Sequence, residues 1–310
     1  MSDLTIVDNS ILTAVATCHT QAAIRYALGL TMPEDRAWLR AGHTAHEILA
    51  EHLRGKPIEE VMAIPEIISY LEWTQSSLPE NDRLTGENVN KIMRRWLETH
   101  PLSGLPFAVP EGLVEVGFGV PLSDDILFVG RMDALAQDAS GAWYVVEHKT
   151  TGRLDETWRR RYRTSAQITG YVWAAQQHLS APVAGCFVNG IEFGRLPTDT
   201  RKCRTHGVPY AECGPLHARF EMLIEHRAPH QLEAWKRDAI TLARRFKDLK
   251  SRVVDLADIK GQDISMYGQL NGGCNLCQFA DYCAVGRPET TGRAMLVHEP
   301  WSPYEHAFQA

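Results

Sequence analysis

The chain has no apolar run approaching the roughly 18–20 residues that a bilayer crossing needs, so no membrane-spanning helix is expected. Its opening stretch, MSDLTIVDNS, lacks the basic and apolar regions of a secretory signal, and cytoplasmic residence is the expectation. No G-x-x-x-x-G-K-[ST] loop occurs, so the sequence carries no phosphate cradle for a nucleotide-driven motor of its own. Internal repeats and low-complexity tracts are missing, which excludes solenoids and compositionally disordered arrays. Excess positive charge is missing too: 32 Lys and Arg stand against 38 Asp and Glu, a net of -6. That counts mildly against a nucleic-acid binder, but leaves room for an acidic metal site and a local basic patch. The seven cysteines form an odd set in a chain without a secretion signal. A disulfide framework is therefore not expected, and metal binding or plain burial is.

What is present suits a globular protein. The 310 residues, 44% of them hydrophobic, can bury a full core as one large domain with insertions or two small ones. Asn9 or Ser10 can cap a helix running to about Leu28, and a second helix is read from Glu34 to Leu53. From Glu59 to His100 the pattern stays helical, broken by Pro65 and Pro79. Then alternation takes over: residues 112–120, 126–136 and 142–147 read as three strands, the last two joined by a turn at Asp138–Gly141. A helix from about Asp155 to Leu179, strands at 183–193 and 218–225, and an amphipathic helix over 229–251 complete the series. Leu196 to Pro215 reads as a long surface loop, and the tail after Cys283 as irregular. The order gives an α/β or α+β core with helical additions at both ends. The expected division is a helical region over 1–110, a core over 111–227, and a C-terminal helix with a cysteine segment and tail over 228–310.

The strongest chemical signal lies on the meander. Asp133 sits near the end of the second strand, and Glu147 and Lys149 end the third in the string VVEHKTTG. Residues two apart on a strand share a face. If the two strands pair through the turn, Asp133 can lie beside Glu147. Neighbouring carboxylates repel unless a cation joins them, and hard oxygen ligands with open positions suit Mg²⁺ or Mn²⁺. A lysine beside that ion can hold the attacking water and offset charge in a phosphoryl transition state. An isolated E-x-K triplet is common in ordinary hairpins, but here Glu147 emerges from the apolar run Trp143–Val146 and a patterned helix follows. On it, Gln167 and Tyr171 are spaced i, i+4 and share one face. The same helix begins with Arg159, Arg160, Arg161 and Arg163, interleaved with Trp158 and Tyr162. Alone that run would be a solvated face; beside a carboxylate–lysine site it can meet a phosphate backbone.

The series Gly130-x-x-Asp133, Glu147-x-Lys149 and Gln167-x-x-x-Tyr171 resembles the motifs of RecB-like nucleases in the PD-(D/E)xK superfamily. That group includes the nuclease domains of bacterial recombination helicase–nucleases and the CRISPR-associated iron–sulfur exonucleases. An upstream G-x-x-x-H motif is matched by Gly42 to His46. The resemblance implies a restriction-endonuclease-like core, a mixed central sheet flanked by helices. It implies that His46, Asp133, Glu147 and the backbone carbonyl of His148 bind the divalent metal, and that Lys149 acts on the water and the scissile phosphate. Gln167 and Tyr171 would orient the Lys149 region or the DNA strand. Glu115 matches an acidic position often seen on the first strand and carries little weight. No proline precedes the first carboxylate, where the sequence has Met132-Asp133; many members of the branch lack it too.

Cys274-x-x-Cys277-x5-Cys283 is a metal-binding shape one ligand short of four. Cys18 is a candidate fourth ligand, with Cys186, Cys203 and Cys213 as competitors. Residue chemistry alone leaves zinc and an iron–sulfur cluster both open, since both accept four thiolates. The resemblance implies a [4Fe–4S] cluster on Cys18, Cys274, Cys277 and Cys283, joining the two ends of the nuclease unit. The implied activity is a Mg²⁺- or Mn²⁺-dependent DNA exonuclease acting on ends or single strands in recombination, repair, CRISPR adaptation or phage DNA processing. A helicase, recombinase or CRISPR-adaptation partner, and an oligomer, fit that setting. A silent DNA-gripping subunit and a zinc-stapled protein of other activity are the alternatives.

Overall fold

The computed structural model describes residues 4–308 except 34–35, 81, 198–199 and 262–263. The chain opens with β1 (Thr5–Val7) and α1 (Asn9–Thr17), whose N-cap Asp8 accepts a hydrogen bond from the Ile11 N–H at 2.7 Å. The single helix expected to reach Leu28 is broken at Cys18, which is extended (φ −162°, ψ 118°). Beyond it come α2 (His19–Ala22) and a π turn over Ala23–Ala27. The break has a tertiary cause: the Thr20 hydroxyl sits 3.1 Å from the carbonyl oxygens of both Ile264 and Ser265, so the C-terminal segment docks where the helix parts.

After β2 (Leu30–Thr31), α3 (Ala37–Leu53) carries His46; the expected start at Glu34 lies outside the described residues. The helical region to His100 divides into α4 (Ile58–Val61), α5 (Pro65–Ser77) and α6 (Gly86–Thr99). Pro65 starts a helix rather than interrupting one, because its missing N–H is not needed at the first turn. These helices and α3 enclose an apolar cluster with Ile48, Leu49, Tyr70, Ile92, Met93 and Trp96.

The meander follows: β3 (Phe107–Ala108), β4 (Val114–Ser123), β5 (Ile126–Asp138) and β6 (Trp143–Thr151). The expected single helix over 155–179 is two, α7 (Glu156–Arg163) and α8 (Ala166–Leu179). Ser165 parts them, its hydroxyl capping α8 by accepting from the Ile168 N–H at 3.3 Å. Then come β7 (Val183–Glu192), α9 (Tyr210–Cys213), β8 (Phe220–His226) and the long α10 (Pro229–Arg252). Short elements finish the chain: α11 (Leu256–Gly261), α12 (Gly268–Asn271), α13 (Ala280–Ala284), α14 (Glu289–Met295), β9 (Val297–His298) and α15 (Pro303–Phe308). The tail read as irregular thus holds two helices and a strand, and it closes over the N-terminus. β9 pairs with β2, Trp301 Nε1 donates to Asp8 Oδ2 at 2.8 Å, and α15 lies on β4 and β5.

The sheet is mixed. β4–β5 and β5–β6 are antiparallel, β6–β7 is parallel through the α7–α8 crossover, and β7–β8 is antiparallel. β1 runs parallel to the start of β5, along Ile126–Phe128, on the edge opposite β4. β6 joins that same edge of β5 only from Ala134. Between these two pairings, among the described residues, the edge of β5 from Val129 to Asp133 has no strand beside it. α8 and α10 pack over one face, their Val172, Trp173 and Trp235 sharing a core with Phe118, Phe128 and Val188. Among the described residues no helix is long and apolar enough to cross a membrane.

Candidate active site

The gap along β5 is where the polar groups collect. Val114 pairs with Ala134 and Val116 with Met132, which sets Glu115 across from Asp133. On the other side the β5–β6 ladder ends at the Ala134–Val146 pair, so Asp133 and Glu147 are the next residues as the strands part. Three neighbouring strands therefore each deliver a carboxylate at one level. Like charges opposite one another in a sheet are destabilising. Glu115 also adopts a left-handed conformation (φ 56°), a strained state for a residue with a β-carbon.

Each carboxylate has a different partner. Asp133 accepts from the His148 backbone N–H at 2.5 Å through Oδ2, and its Oδ1 lies 3.0 Å from His46 Nδ1 on α3. Glu115 pairs with Arg131 at 2.8 Å. Glu147 Oε1 takes the Lys149 ammonium at 2.5 Å and the Gln167 amide at 2.9 Å, while the Gln167 carbonyl accepts from Lys149 at 3.0 Å. Glu147 Oε2 is buried without a hydrogen-bond donor among the described residues. Ligand atoms of His46, Glu115 and Asp133 all fall within 4.8 Å of one another, a spacing that one cation can bridge. That grouping moves Glu115 from a position of little weight into the centre, and sets Glu147 beside it as the partner of Lys149. The His148 imidazole turns away, accepting from Asn189 Nδ2 at 2.9 Å. Its backbone is the part that faces Asp133.

The cleft over these groups encloses about 440 Å³. Tyr171 lines it and stacks edge-on against Phe118, ring centroids 5.7 Å apart. Gly130 is required here: a β-carbon would come within 2.7 Å of the Phe118 ring. Trp38 stands at the rim, 57% exposed. The arginine helix is less simple than its sequence. Trp158 and Tyr162 are buried anchors, not an exposed aromatic platform. Arg159 is committed to Glu221 at 2.5 and 2.9 Å, and Arg160 lies 3.1 Å from Glu156. Arg160, Arg161 and Arg163 face solvent.

Burial pushes the Glu147 carboxyl up to about 7, with Lys149 opposing and Asp133 adding to the rise. Burial also lifts Glu115 to about 7, helped by Asp133 and opposed by Arg131. At Asp133 burial is outweighed by His46 and the His148 N–H, which hold the carboxyl well below its ordinary range. A proton and a divalent cation compete for Glu115 and Glu147. Without a cation, carboxyls raised from 4.5 to about 7 contribute stability below pH 4.5 and lose it as pH rises toward 7. A cation offsets that loss most where the carboxyls are ionised. The rise in Tm on adding excess Mg²⁺ or Mn²⁺ should therefore be larger at pH 8 than at pH 6 by calorimetry; equal rises would contradict this ligand set.

The cysteines separate into three places. Cys186 is fully buried within β7, among core side chains. Cys203 and Cys213 lie together on the β7–β8 connection with His206 and His217, so neither competes for the C-terminal triad. Cys18, Cys274, Cys277 and Cys283 line one cavity with Gln21, Met266 and Phe279. No three of these four sulfurs meet the 4.8 Å mutual spacing of a single-ion group. Four thiols around one cavity leave zinc and an iron–sulfur cluster both open.

No curated protein matches the chain significantly. Among solved structures, a candidate exonuclease from Eubacterium rectale is similar at 12% identity and a TM-score of 0.45, over 82% of this chain and 84% of that one. The protein designated SSO0001 is similar at 15% identity and a TM-score of 0.33, over 91% and 86%. Residues 9–284 match the PD-(D/E)XK nuclease superfamily, a span holding the parted strands, His46 and all four cavity thiols. With a mixed central sheet flanked by helices and acidic groups gathered where its strands diverge, the chain belongs to the PD-(D/E)XK nuclease superfamily.

Proposed function

We propose that the protein is a Mg²⁺- or Mn²⁺-dependent DNA exonuclease of the RecB-like iron–sulfur branch, hydrolysing phosphodiester bonds at DNA ends or in single strands. The observation that carries this reading is the delivery of Glu115, Asp133 and Glu147 from adjacent strands into one cleft beside the Lys149 ammonium. His46, Asp133, Glu147 and the His148 carbonyl hold the cation, with Glu115 as a further ligand. The bound cation supplies a Lewis acid and an acidified water. Lys149 holds the water or a non-bridging phosphate oxygen and offsets developing charge. Gln167 keeps Lys149 and Glu147 in register through its two hydrogen bonds. Tyr171 closes the floor of the cleft. Arg160, Arg161 and Arg163 draw the phosphate backbone, with Arg159 fixed mainly by Glu221. The exposed Trp38 indole offers a stacking face to an unpaired base, which favours single strands and frayed ends.

Cys18, Cys274, Cys277 and Cys283 hold a [4Fe–4S] cluster that ties the N-terminal helices to the C-terminal segment. Thiols free of disulfides accord with a reducing, cytoplasmic setting. Recombination, repair, CRISPR adaptation or phage DNA processing, with a helicase, recombinase or adaptation partner, is the matching context. The test is digestion of end-labelled single- and double-stranded DNA by anaerobically purified protein, with Mg²⁺, with Mn²⁺ and with chelator. Cleavage should need the cation and disappear in Asp133→Ala. DNA binding without cleavage across these substrates would overturn the enzymatic reading in favour of a silent DNA-gripping subunit.

A further inference from the structure

The connection from β7 to β8, residues 193–219, is longer than the roughly 12–15 residues at which a loop without its own regular structure becomes uncommon. Its described residues carry α9 and gather four side chains. Cys203 Sγ lies 3.5 Å from His206 Nδ1 and 3.4 Å from His217 Nε2; Cys213 Sγ lies 3.4 Å from the same His217 Nε2. All four donor atoms fall within 4.8 Å of one another. A tetrahedron with Zn–S bonds of about 2.3 Å and Zn–N bonds of about 2.0–2.1 Å has S···N edges of about 3.5 Å. The observed separations are those edges.

The backbone is shaped to the same end. Cys203-x-x-His206 closes a tight turn in which the Gly207 N–H donates to the Cys203 carbonyl at 2.8 Å and the Cys203 N–H to the Val208 carbonyl at 2.8 Å. Gly207 takes the left-handed conformation (φ +72°) that such a turn needs and that a β-carbon disfavours. The second pair comes from the next fold of the chain: Cys213 ends α9 and His217 follows four residues later, one turn on. Both sulfurs are buried, and neither is in a disulfide.

We propose that Cys203, His206, Cys213 and His217 form a structural Zn²⁺ site that pins the β7–β8 connection. Two thiolates and two imidazoles in tetrahedral array select zinc over the harder cations of the catalytic cleft. All four positions are filled by protein, so the site is closed and structural. It fastens the loop that α6 also holds, where Asn88 Nδ2 donates to the Gly194 carbonyl at 2.9 Å and Asn88 Oδ1 accepts from the Leu196 N–H at 3.3 Å. The site shares no residue with the cleft or the Cys18 cavity.

The experiment is elemental analysis of the anaerobically purified full chain, with zinc and iron counted separately. Zinc should be present at one equivalent and remain in Cys283→Ser, which alters the other thiol set. His206 is exposed, so His206→Ala should fold; it should lose zinc at least about fivefold, while His206→Cys, which restores a ligand, keeps it. Cobalt replacing the zinc should show visible bands of a tetrahedral thiolate site that vanish in His206→Ala. Failure of the wild type to hold or take up Zn²⁺ would overturn the proposal. So would zinc content unchanged in His206→Ala and lost in Cys283→Ser, or a mass two hydrogens light from a Cys203–Cys213 disulfide. None of these outcomes depends on cleavage of DNA.

Discussion

Lys149→Met is expected to slow metal-dependent DNA hydrolysis by about two to three orders of magnitude, the usual cost of removing one preorganised charge donor. The loss has two separable parts. The ammonium is held 2.5 Å from Glu147 and 3.0 Å from the Gln167 carbonyl, so it is aimed before substrate arrives and spends little reorganisation in the transition state. It also opposes the burial that, even with Lys149 in place, lifts the Glu147 carboxyl to about 7. Without Lys149, Glu147 should keep its proton to higher pH and bind a cation more weakly. Raising pH and Mg²⁺ together should therefore recover the cation-binding part of the loss and leave the part due to missing charge stabilisation. Lys149→Arg should restore charge but not the rate, because a planar guanidinium fork cannot occupy the place of a compact ammonium between two oxygens. Single-turnover cleavage of a labelled oligonucleotide, with binding measured alongside in Ca²⁺, reads both parts. A Lys149→Met enzyme within about threefold of wild type would remove this lysine from the chemistry.

Cys283→Ser is expected to abolish visible absorbance near roughly 400 nm and to lower unfolding stability by about 3–5 kcal/mol, the scale of a cross-link closing a long loop. The thiols themselves supply the reason. Burial, with Cys277 and Cys18 nearby, pushes Cys283 up to about 11, and Cys277 is raised by burial in the same company. Four thiolates cannot coexist in that cavity without a cationic core to neutralise them. A cluster there would add to the ties already made between the ends: Thr20 to the Ile264 and Ser265 carbonyls, Asn271 to the Thr17 carbonyl at 3.0 Å, the β2–β9 pair, and Trp301 to Asp8 at 2.8 Å. Anaerobic purification, an absorption spectrum and denaturant unfolding of both proteins settle the matter. A colourless wild type with zinc in this cavity would replace the iron assignment. An unchanged unfolding midpoint in Cys283→Ser would end the idea of a staple.

The strand pattern made much of the site legible. Alternation marked β4, β5 and β6 to within a few residues, and the two-residue spacing of Glu147 and Lys149 put both on one face before any register was known. The long α10 matched its apolar periodicity because packing and propensity agree along it. What sequence could not supply were contacts made across the fold. Cys18 and Ser165 interrupt helices that local propensity would have continued, the first because Ile264 and Ser265 bond to Thr20, the second because a hydroxyl caps the next helix. Glu115 looked unremarkable until the β4–β5 register placed it opposite Asp133. Arg159 read as a phosphate contact, yet Glu221, distant in sequence, claims it. Cys203 and Cys213 compete in the sequence for the fourth place beside Cys274, Cys277 and Cys283, whereas the fold groups them with His206 and His217, which follow them by three and four residues.

The sheet, the parted strands and the C-terminal cover are not finished in the order in which they are made. Cys18 waits for Cys274 through Cys283, Asp8 waits for Trp301, and the outer face of β4 and β5 waits for α15. At about 5–20 residues per second, the interval between synthesis of residue 18 and of residue 283 is roughly 10–50 seconds. A nascent chain thus carries Cys18 without the other three thiols, and a sheet face without α15, until residues 274–308 have been made.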